Sequence, residues 1–513
     1  MNTDILLVGQ PAKDSRSARP QYGIFSIAGS LEAHGYRGKV EVIDGLALSR
    51  QYGFVDAIEK IKDVIRQKKP LSIGFGVYEP YTLEEWKMVD TAIEVESNPS
   101  FGGIEANLNW KAYAEVGPVV MGEGEETFPE LNDALFQERS VQEVKGVAFF
   151  DGKKYDMTQR RNPIDINKIP PPAWHLIQDM SIYNFNISVE VDRRCPYNCF
   201  FCSHYLIHHD IEKVNQLLDE GKSIPPLSPS FKSLDRIESE MKTAIDLGVK
   251  NVFLLGELVL LKKERALGIG DIMAKYLDEW GTHARPDIIV RRKTTLEELV
   301  KRKLRWMLVG VESFSQKTLD LYNKNFNVKT NQKALNILRR LDIFTEIGYI
   351  PFNYFMDLED LGDEIKGMYK NFVHFAKDNA YPLNIFNGWI PQRGTPLYRK
   401  ALKEGLVKEV TNSKGNLEIL ARYKDPRVHE VENWLVHYMS TYLETTKTLM
   451  KKNEDSHGWL DIDTRLKSIP MNVLDIAYVA AKHGIDGKGA IDHYCQKKLK
   501  ELEEILAMPV IAK

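Results

Sequence analysis

The chain is poor in cysteine, with four in 513 residues. That number excludes a disulfide framework for a molecule of this size. It also lacks a strong charge of either sign. A net charge of −3 gives no global basic field for nucleic acid or an anionic membrane surface. The opening "MNTDILLVGQP" holds an apolar run of strand length, too short for the apolar region of a signal peptide. No apolar run is long enough to span a bilayer. Internal repeats and low-complexity tracts are absent too. What remains is a globular composition, 43% hydrophobic and 27% charged. The length implies three domains. These exclusions predict a cytoplasmic protein with reduced thiols, no nucleic-acid partner and no membrane span.

The first 150 residues alternate short apolar runs with helical patterns. "DILLVG" (4–9), "KVEVIDG" (39–45), "LSIGFGV" (71–77), "GPVVMGEG" (117–124) and "GVAFFDG" (146–152) read as strands. "YGIFSIAGSLEAHG" (22–35) and "VDAIEKIKDVIRQ" (55–67) read as helices. This alternation predicts a mostly parallel sheet with ligands at the strand carboxyl ends. The dinucleotide fingerprint G-x-G-x-x-G is missing after the first strand, where "VGQPAKDS" stands, so a nicotinamide role has little support. Residues 153–186 read as a linker, with the extended, proline-rich "NPIDINKIPPPAW".

A second βα series begins at "ISVEVDRRC" (187–195). Its further strand candidates are "NVFLLGE" (251–257), "DIIVRR" (287–292), "WMLVGVES" (306–313), "TEIGYIPF" (345–352) and "LNIFNGWI" (383–390). Helical patterns at 233–248 and 331–342 separate them. Six strands predict a partial or complete β/α barrel over 187–410. Residues 411–513 read as a helical C-terminal domain.

Three of the four cysteines fall in "RRCPYNCFFC": Cys195, Cys199 and Cys202, spaced C-x3-C-x2-C. Three thiolates so close together point to a metal. A tetrahedral zinc site would want a fourth protein ligand, which His204, His208 or His209 could supply. An iron–sulfur cluster held by three thiolates leaves one iron open for a substrate or cofactor. Placement after the first strand of a barrel, on the face where barrel active sites sit, favours the cluster. So does the lack of a second cysteine hook.

With an aromatic, Phe201, before the last cysteine, the motif resembles the signature of radical S-adenosylmethionine (SAM) enzymes. In that family three thiolates hold a [4Fe–4S] cluster, and the methionyl part of SAM chelates the fourth iron. The reduced cluster then splits SAM to a 5′-deoxyadenosyl radical. "VVMGEGEETFPEL" (119–131), "KIPPPAW" (168–174), "GVESFSQKTLDLYNK" (310–324) and "PQRGTPLY" (391–398) resemble elements of the subfamily with an N-terminal cobalamin-binding domain. The likeness covers roughly residues 1–410. It implies an α/β fold: a flavodoxin- or Rossmann-like cobalamin domain over 1–152, a radical SAM partial barrel over 187–410, and the helical tail.

The resemblance also implies roles. Cys195, Cys199 and Cys202 would hold the cluster. Phe201, Gly256, Glu257, Arg291, Glu312 and Ser313 would meet SAM, with Arg292 as the alternative to Arg291. Gly122, Glu123, Gly124 and Glu125 would meet cobalamin. Plain core packing is the competing account of Phe200 and Phe201, a bare strand-end carboxylate that of Glu257, and solvation that of both arginines. The D-x-H-x-x-G element for a lower axial histidine is missing, and His34 reads as a helix-end residue. The first domain could also keep the fold without the cofactor. Cys495 reads as a core residue. The aromatic run "YIPFNYF" (349–355) is either a substrate wall or core. The function implied is methylation of an unactivated carbon of a small molecule or peptide, with an external electron donor such as flavodoxin or ferredoxin. A radical cyclase or rearrangement enzyme without methyl transfer is the alternative. A zinc-stabilised, non-catalytic binding module is the reading from another class.

Overall fold

A run of five fully buried residues, Ile5–Gly9, forms the first strand, the pattern of a strand covered on both faces. The structure, a computed structural model, describes residues 4–13, 19–204, 206–209, 211–371, 388–411, 417–439, 442 and 459–507. Strands β1 (Ile5–Gly9), β2 (Val40–Ile43), β3 (Ser72–Gly76), β4 (Asn98–Gly102), β5 (Val119–Val120), β6 (Val147–Phe150) and β7 (Tyr155–Met157) make one sheet. Their order is β2-β1-β3-β4-β5-β6-β7. Neighbours from β2 to β5 are parallel, while β6 and β7 add antiparallel edges. This is the flavodoxin-like order, whose binding crevice opens at the strand carboxyl ends. The sheet runs past the expected boundary at residue 152. The first helix ends at Leu31 and continues as a wider turn over Glu32–Tyr36, where Gly35 takes a φ of 117°.

One face of this sheet packs on Ile58, Ile61 and Ile65, a helical stripe at i, i+3 and i+7. Its other face, through Ile5, Leu7, Phe25 and Phe128, is continuous with the core of the second domain. The proline-rich linker is docked between them. Ala173 N–H donates to Phe25 O at 2.9 Å, and Trp174 packs against Phe25 and Tyr22 at 5.1 and 5.7 Å. A Cβ at Gly29 would lie 2.0 Å from Pro171 O, so the close approach requires glycine there.

The second domain contains β8 (Asn186–Glu190), β9 (Asp192–Arg193), β10 (Ser230–Phe231), β11 (Asn251–Leu255), β12 (Trp280–Ala284), β13 (Leu304–Glu312) and β14 (Phe344–Tyr349). Five of these form a parallel sheet in the order β14-β13-β12-β11-β8, the wall of a partial barrel. Two expectations need correction. "DIIVRR" is not a strand: Pro286 stands at the first turn of a helix, Pro286–Arg291, where its fixed φ is favourable. The strand is "WGTHA" instead, in which Gly281 leaves room for Trp306; a Cβ there would sit 2.2 Å from its ring. The tail is not wholly helical either. Strands β15 (Val407–Thr411) and β16 (Leu417–Ala421) pair antiparallel across the expected boundary at 410. Most of "LNIFNGWI" lies outside the described residues; its Gly388 bridges Phe352 in parallel. Helices Pro426–Tyr438, Trp459–His483 and Gly487–Ala507 pack together and on Leu358–Lys370. Cys495 is buried among them.

The turn after β13 is tied down by a buried carboxyl. Glu364 accepts from Ser313 Oγ, from the N–H of Phe314 (2.9 Å) and Ser315 (3.3 Å), and from Tyr349 Oη (2.8 Å). Burial lifts its pKa to about 7 against those four donors. Glu364→Gln turns an NH2 group toward one of the donors and leaves a buried mismatch costing about 1–3 kcal/mol. The thermal midpoint should fall by about 2–4 °C per kcal/mol. An unchanged midpoint would show that the turn does not depend on this carboxyl.

Candidate functional site

Two chain segments meet at the interface of the domains. The first follows β5. Gly122 has a φ of 82°, and its N–H donates to Asn107 Oδ1 at 2.6 Å. The turn sends Glu123 and Glu125 toward the barrel at the start of the helix Gly124–Phe136. The second segment is the end of β8 with β9, which carries Glu190, Asp192 and Arg193.

Arg193 joins the two. It pairs with Glu190 at 2.7 Å, Glu125 at 2.5 Å and Glu123 at 3.4 Å. All four side chains are at most 14% exposed. Burial disfavours the Arg193 charge, yet Glu125 and Glu190 outweigh it and hold the guanidinium protonated. The two motif carboxylates then diverge. Burial raises the Glu123 pKa despite Arg193. For Glu125 burial also opposes ionisation, but the closer guanidinium holds its pKa below the usual range. Glu123 and Glu125 serve further local bonds, accepting from Ile164 N–H (2.6 Å) and Ser26 Oγ (3.1 Å).

Between these segments lies a cavity of about 460 Å³. Its floor on the first domain is the carboxyl edge of the sheet: Gly74, Gly76, Ser100, Gly102 and the whole run Gly122–Glu125. Its barrel side includes Asp192, Cys195, Gly256, Glu257 and His283. His204 and His208 also line it. Burial, then Arg194 and Arg193, push His208 down to about 3, so its imidazole is neutral at ordinary pH. A second cavity of about 860 Å³ shares Gly23, Tyr78, Leu255 and His283 with the first. It extends over Phe253 and Ser188 inside the barrel wall.

The cysteine loop is anchored by its backbone. Phe200 N–H donates to Tyr322 O, Leu397 N–H to Phe200 O, and Asn323 Nδ2 to Asn198 O. The late "GTPLY" segment therefore supports the cysteines. Burial pushes the Cys195 and Cys202 thiols up to about 12, so they need a metal or a nearby cation to ionise. Among the described residues no three His, Cys, Asp or Glu side chains converge on one ion. Three thiolates carried on one anchored loop suit an iron–sulfur cluster that keeps one iron open.

Of the residues assigned to SAM, Gly256 and Glu257 line the cavity beside Cys195, and all four assigned to cobalamin line it too. The structure does not bring the other SAM candidates there. Phe201 packs edge-on against Tyr322 at 5.0 Å, within a cluster that includes Phe200. Glu312 pairs with the buried Lys324 at 3.0 Å, and Ser313 is turned into the Glu364 network. Arg291 is exposed and pairs with Asp287 (3.0 Å), while Arg292 donates to Leu261 O (2.7 Å). His34 pairs with Asp133 outside the cavity. Phe352 and Phe355 are core residues, and Tyr354 packs on Trp389 and Tyr423.

Sequence reasoning missed Asp192 and Arg285. Asp192 lines the cavity at 6% exposure, and its Oδ2 has no hydrogen-bond partner. Gly256 makes room for it, since a Cβ there would lie 2.4 Å from that oxygen. Burial, then Glu257, push its carboxyl up to about 8 against Arg265. The alternation of "VEVD" was the available signal, because it points Asp192 to the face opposite Val191.

Two outcomes follow from this electrostatic arrangement. Arg193→Met leaves three buried carboxyls without their cation and should cost about 3–5 kcal/mol in denaturant unfolding; a cost under about 1 kcal/mol would deny the network its role. Asp192 has a folded pKa above its ordinary 3.8. Its contribution to stability is therefore complete below about pH 4 and lost as pH rises through about 8. Melting curves of the apoprotein should show Asp192→Asn gaining on wild type between about pH 5 and about pH 9. Parallel pH profiles would count against a protonated Asp192.

The sequence profile of the Radical SAM superfamily matches residues 189–366, which include the three cysteines. An anaerobic magnesium-protoporphyrin IX monomethyl ester cyclase of Cereibacter sphaeroides is 26% identical over 68% of this chain and 57% of its own length. An uncharacterized methyltransferase of Pyrococcus horikoshii is 24% identical over 82% of this chain and 88% of its own. Among solved structures, the cobalamin-dependent S-adenosylmethionine radical enzyme OxsB, with aqua-cobalamin and SAM bound, superposes with a TM-score of 0.74. It is 16% identical over 99% of this chain and 81% of its own. Residues 189–366, with the three cysteines, are thus similar to the Radical SAM superfamily, and the chain as a whole shares the fold of OxsB.

Proposed function

We propose that this protein is a cobalamin-dependent radical SAM methyltransferase acting on an unactivated carbon of a small molecule or peptide. One observation carries the reading. The glycine-rich strand ends of the first domain and the Cys195–Gly256–Glu257 side of the barrel face each other across one cavity.

The residues present fit each group. Cys195, Cys199 and Cys202 would hold a [4Fe–4S] cluster on a loop with an anchored backbone. Glu257 would accept from the amino group of SAM, and Gly256 leaves space beside it. Gly122, Glu123, Gly124 and Glu125 would border cobalamin together with Gly102. A Cβ at Gly102 would touch only Val120, at 3.8 Å, and would otherwise enter the cavity. A bound cluster supplies the electron that cleaves SAM, and a bound cobalamin carries a methyl group. The protein's own part is to hold both within one enclosure, keep Arg193 and its carboxylates away from water, and admit substrate. The larger adjoining cavity, lined by Phe253, Leu308 and Tyr22 and also by Lys13 and Arg19, would take the substrate body. The reductant would be an external protein such as flavodoxin or ferredoxin.

The fit of a methyltransferase relative over most of both chains supports methyl transfer. The cyclase relative keeps a second reading in play, a radical ring closure or rearrangement without methyl transfer. Product analysis decides between them. Anoxically purified protein should contain iron, sulfide and cobalamin. Cys195→Ala, Cys199→Ala and Cys202→Ala should each abolish SAM cleavage, and Cys495→Ala should not. With substrate, S-adenosylhomocysteine and 5′-deoxyadenosine should rise in equal amounts, and label from the SAM methyl group should enter the product. Deoxyadenosine without the homocysteine adduct would replace the methyltransferase with the second reading. Zinc without iron or sulfide would remove both.

A further inference from the structure

Arg285 follows β12 directly, and only 7% of it is exposed. Each nitrogen of its guanidinium is committed to a different chain segment. Nη1 donates to Cys199 Sγ at 3.4 Å. Nη2 donates to Lys324 O at 2.8 Å. Nε pairs with Asp287 at 3.0 Å. The guanidinium plane lies over Tyr197, with its carbon 3.7 Å from the ring centroid. Tyr197 stands between Cys195 and Cys199. One cation therefore holds the middle cysteine, the loop before it and the segment after β13.

Fold stability alone does not ask for this. Burying an arginine is costly, and a well-packed apolar residue often serves as well. Asp287 answers only part of the charge, at the end of the guanidinium remote from sulfur. The hydrogen bond aimed at a thiol sulfur is the distinguishing feature. Hydrogen bonds and positive charge at the sulfurs of a cluster stabilise its reduced form and raise its potential.

We propose that Arg285 is a positioning residue for the metal centre, fixing Cys199 through the guanidinium fork and raising the reduction potential through its charge. The inference rests on the reading of Cys195, Cys199 and Cys202 as cluster ligands. The fork and the charge are separable. Lysine retains a cation but has all its donors on one nitrogen, without the planar fork that reaches the three separate segments. Methionine retains bulk and loses both.

The test uses full-length protein, reconstituted without oxygen. Iron and sulfide content, the midpoint potential by EPR-monitored titration, and the rate of iron loss to a chelator are measured. Arg285→Met should lower the potential and speed iron loss about tenfold, the low end for loss of a group supporting a metal ligand. Arg285→Lys should recover most of the potential but keep the faster loss. Arg292→Met, which alters a neighbouring arginine bonded to Leu261 O, should match wild type in both. Wild-type potential and iron loss in Arg285→Met would overturn the proposal. If that variant fails to fold, wild-type iron loss in Arg285→Lys would overturn it instead. Absence of iron and sulfide from wild type would be a different failure, that of the cluster reading itself.

Discussion

A single buried cation sets the relation between the two halves of this molecule. Arg193 reaches one carboxylate on its own strand and two on the turn of the other domain. None of the four groups is stable alone in that environment, because a charge taken out of water must find its partner in the protein. Such a network fixes geometry more than it adds stability. Hydrophobic contact between the domains could slide, but a forked guanidinium bonded to carboxylates on two elements could not. The cavity between the sheet edge and the barrel takes its shape from that constraint. Arg193 is also two residues from Cys195, so the element that locks the domains delivers the first thiol.

The same logic explains why "GEGEE" and "RRC" are separate in sequence yet act as one motif. The glycines allow the turn and the close approach. The glutamates face the arginine that precedes the cysteines. Each half alone leaves buried charge uncompensated. A first domain that kept its fold and lost its binding role would still need Glu123 and Glu125 for this contact. The motif thus serves docking, and the space that would suit a cofactor is the glycine-lined cavity beyond it.

Much of this was legible in the sequence, and the exceptions have physical causes. The βα alternation, the cysteine spacing and the extended linker were visible because period and turn chemistry are local properties. Strands β4 and β12 were not. "NPSFG" and "WGTHA" contain proline, glycine and polar residues, which are poor strand formers in isolation. They are strands because their neighbours pair with them on both sides. The converse error occurred at "DIIVRR", whose β-branched run is overridden by a proline placed where a helix starts. That error displaced the assignment of arginine from Arg285 to Arg291 and Arg292. Asp192 and Ser313 were hidden differently: alternation gave the face of Asp192, but the space beside it depended on Gly256, and the partner of Ser313 was Glu364, both far along the chain.

The barrel's own chemistry follows from what those distant residues leave open. Glu312 is committed to Lys324, Ser313 to Glu364, and Phe201 to Tyr322. Two strand-end groups and one aromatic of the cysteine loop that look available in sequence are therefore part of the scaffold around the cysteines. What faces the cavity from the barrel is a different set, which includes Asp192, Cys195, Gly256, Glu257 and His283. Two of these are carboxyls at strand ends, and Glu257 adds to the burial that disfavours ionisation of Asp192. A cationic ligand relieves that repulsion, while a neutral one leaves Asp192 protonated and able to donate a hydrogen bond. The protonation of Asp192 is thus set by the barrel's own residues, Glu257 and Arg265 among them, rather than by the domain docked on it.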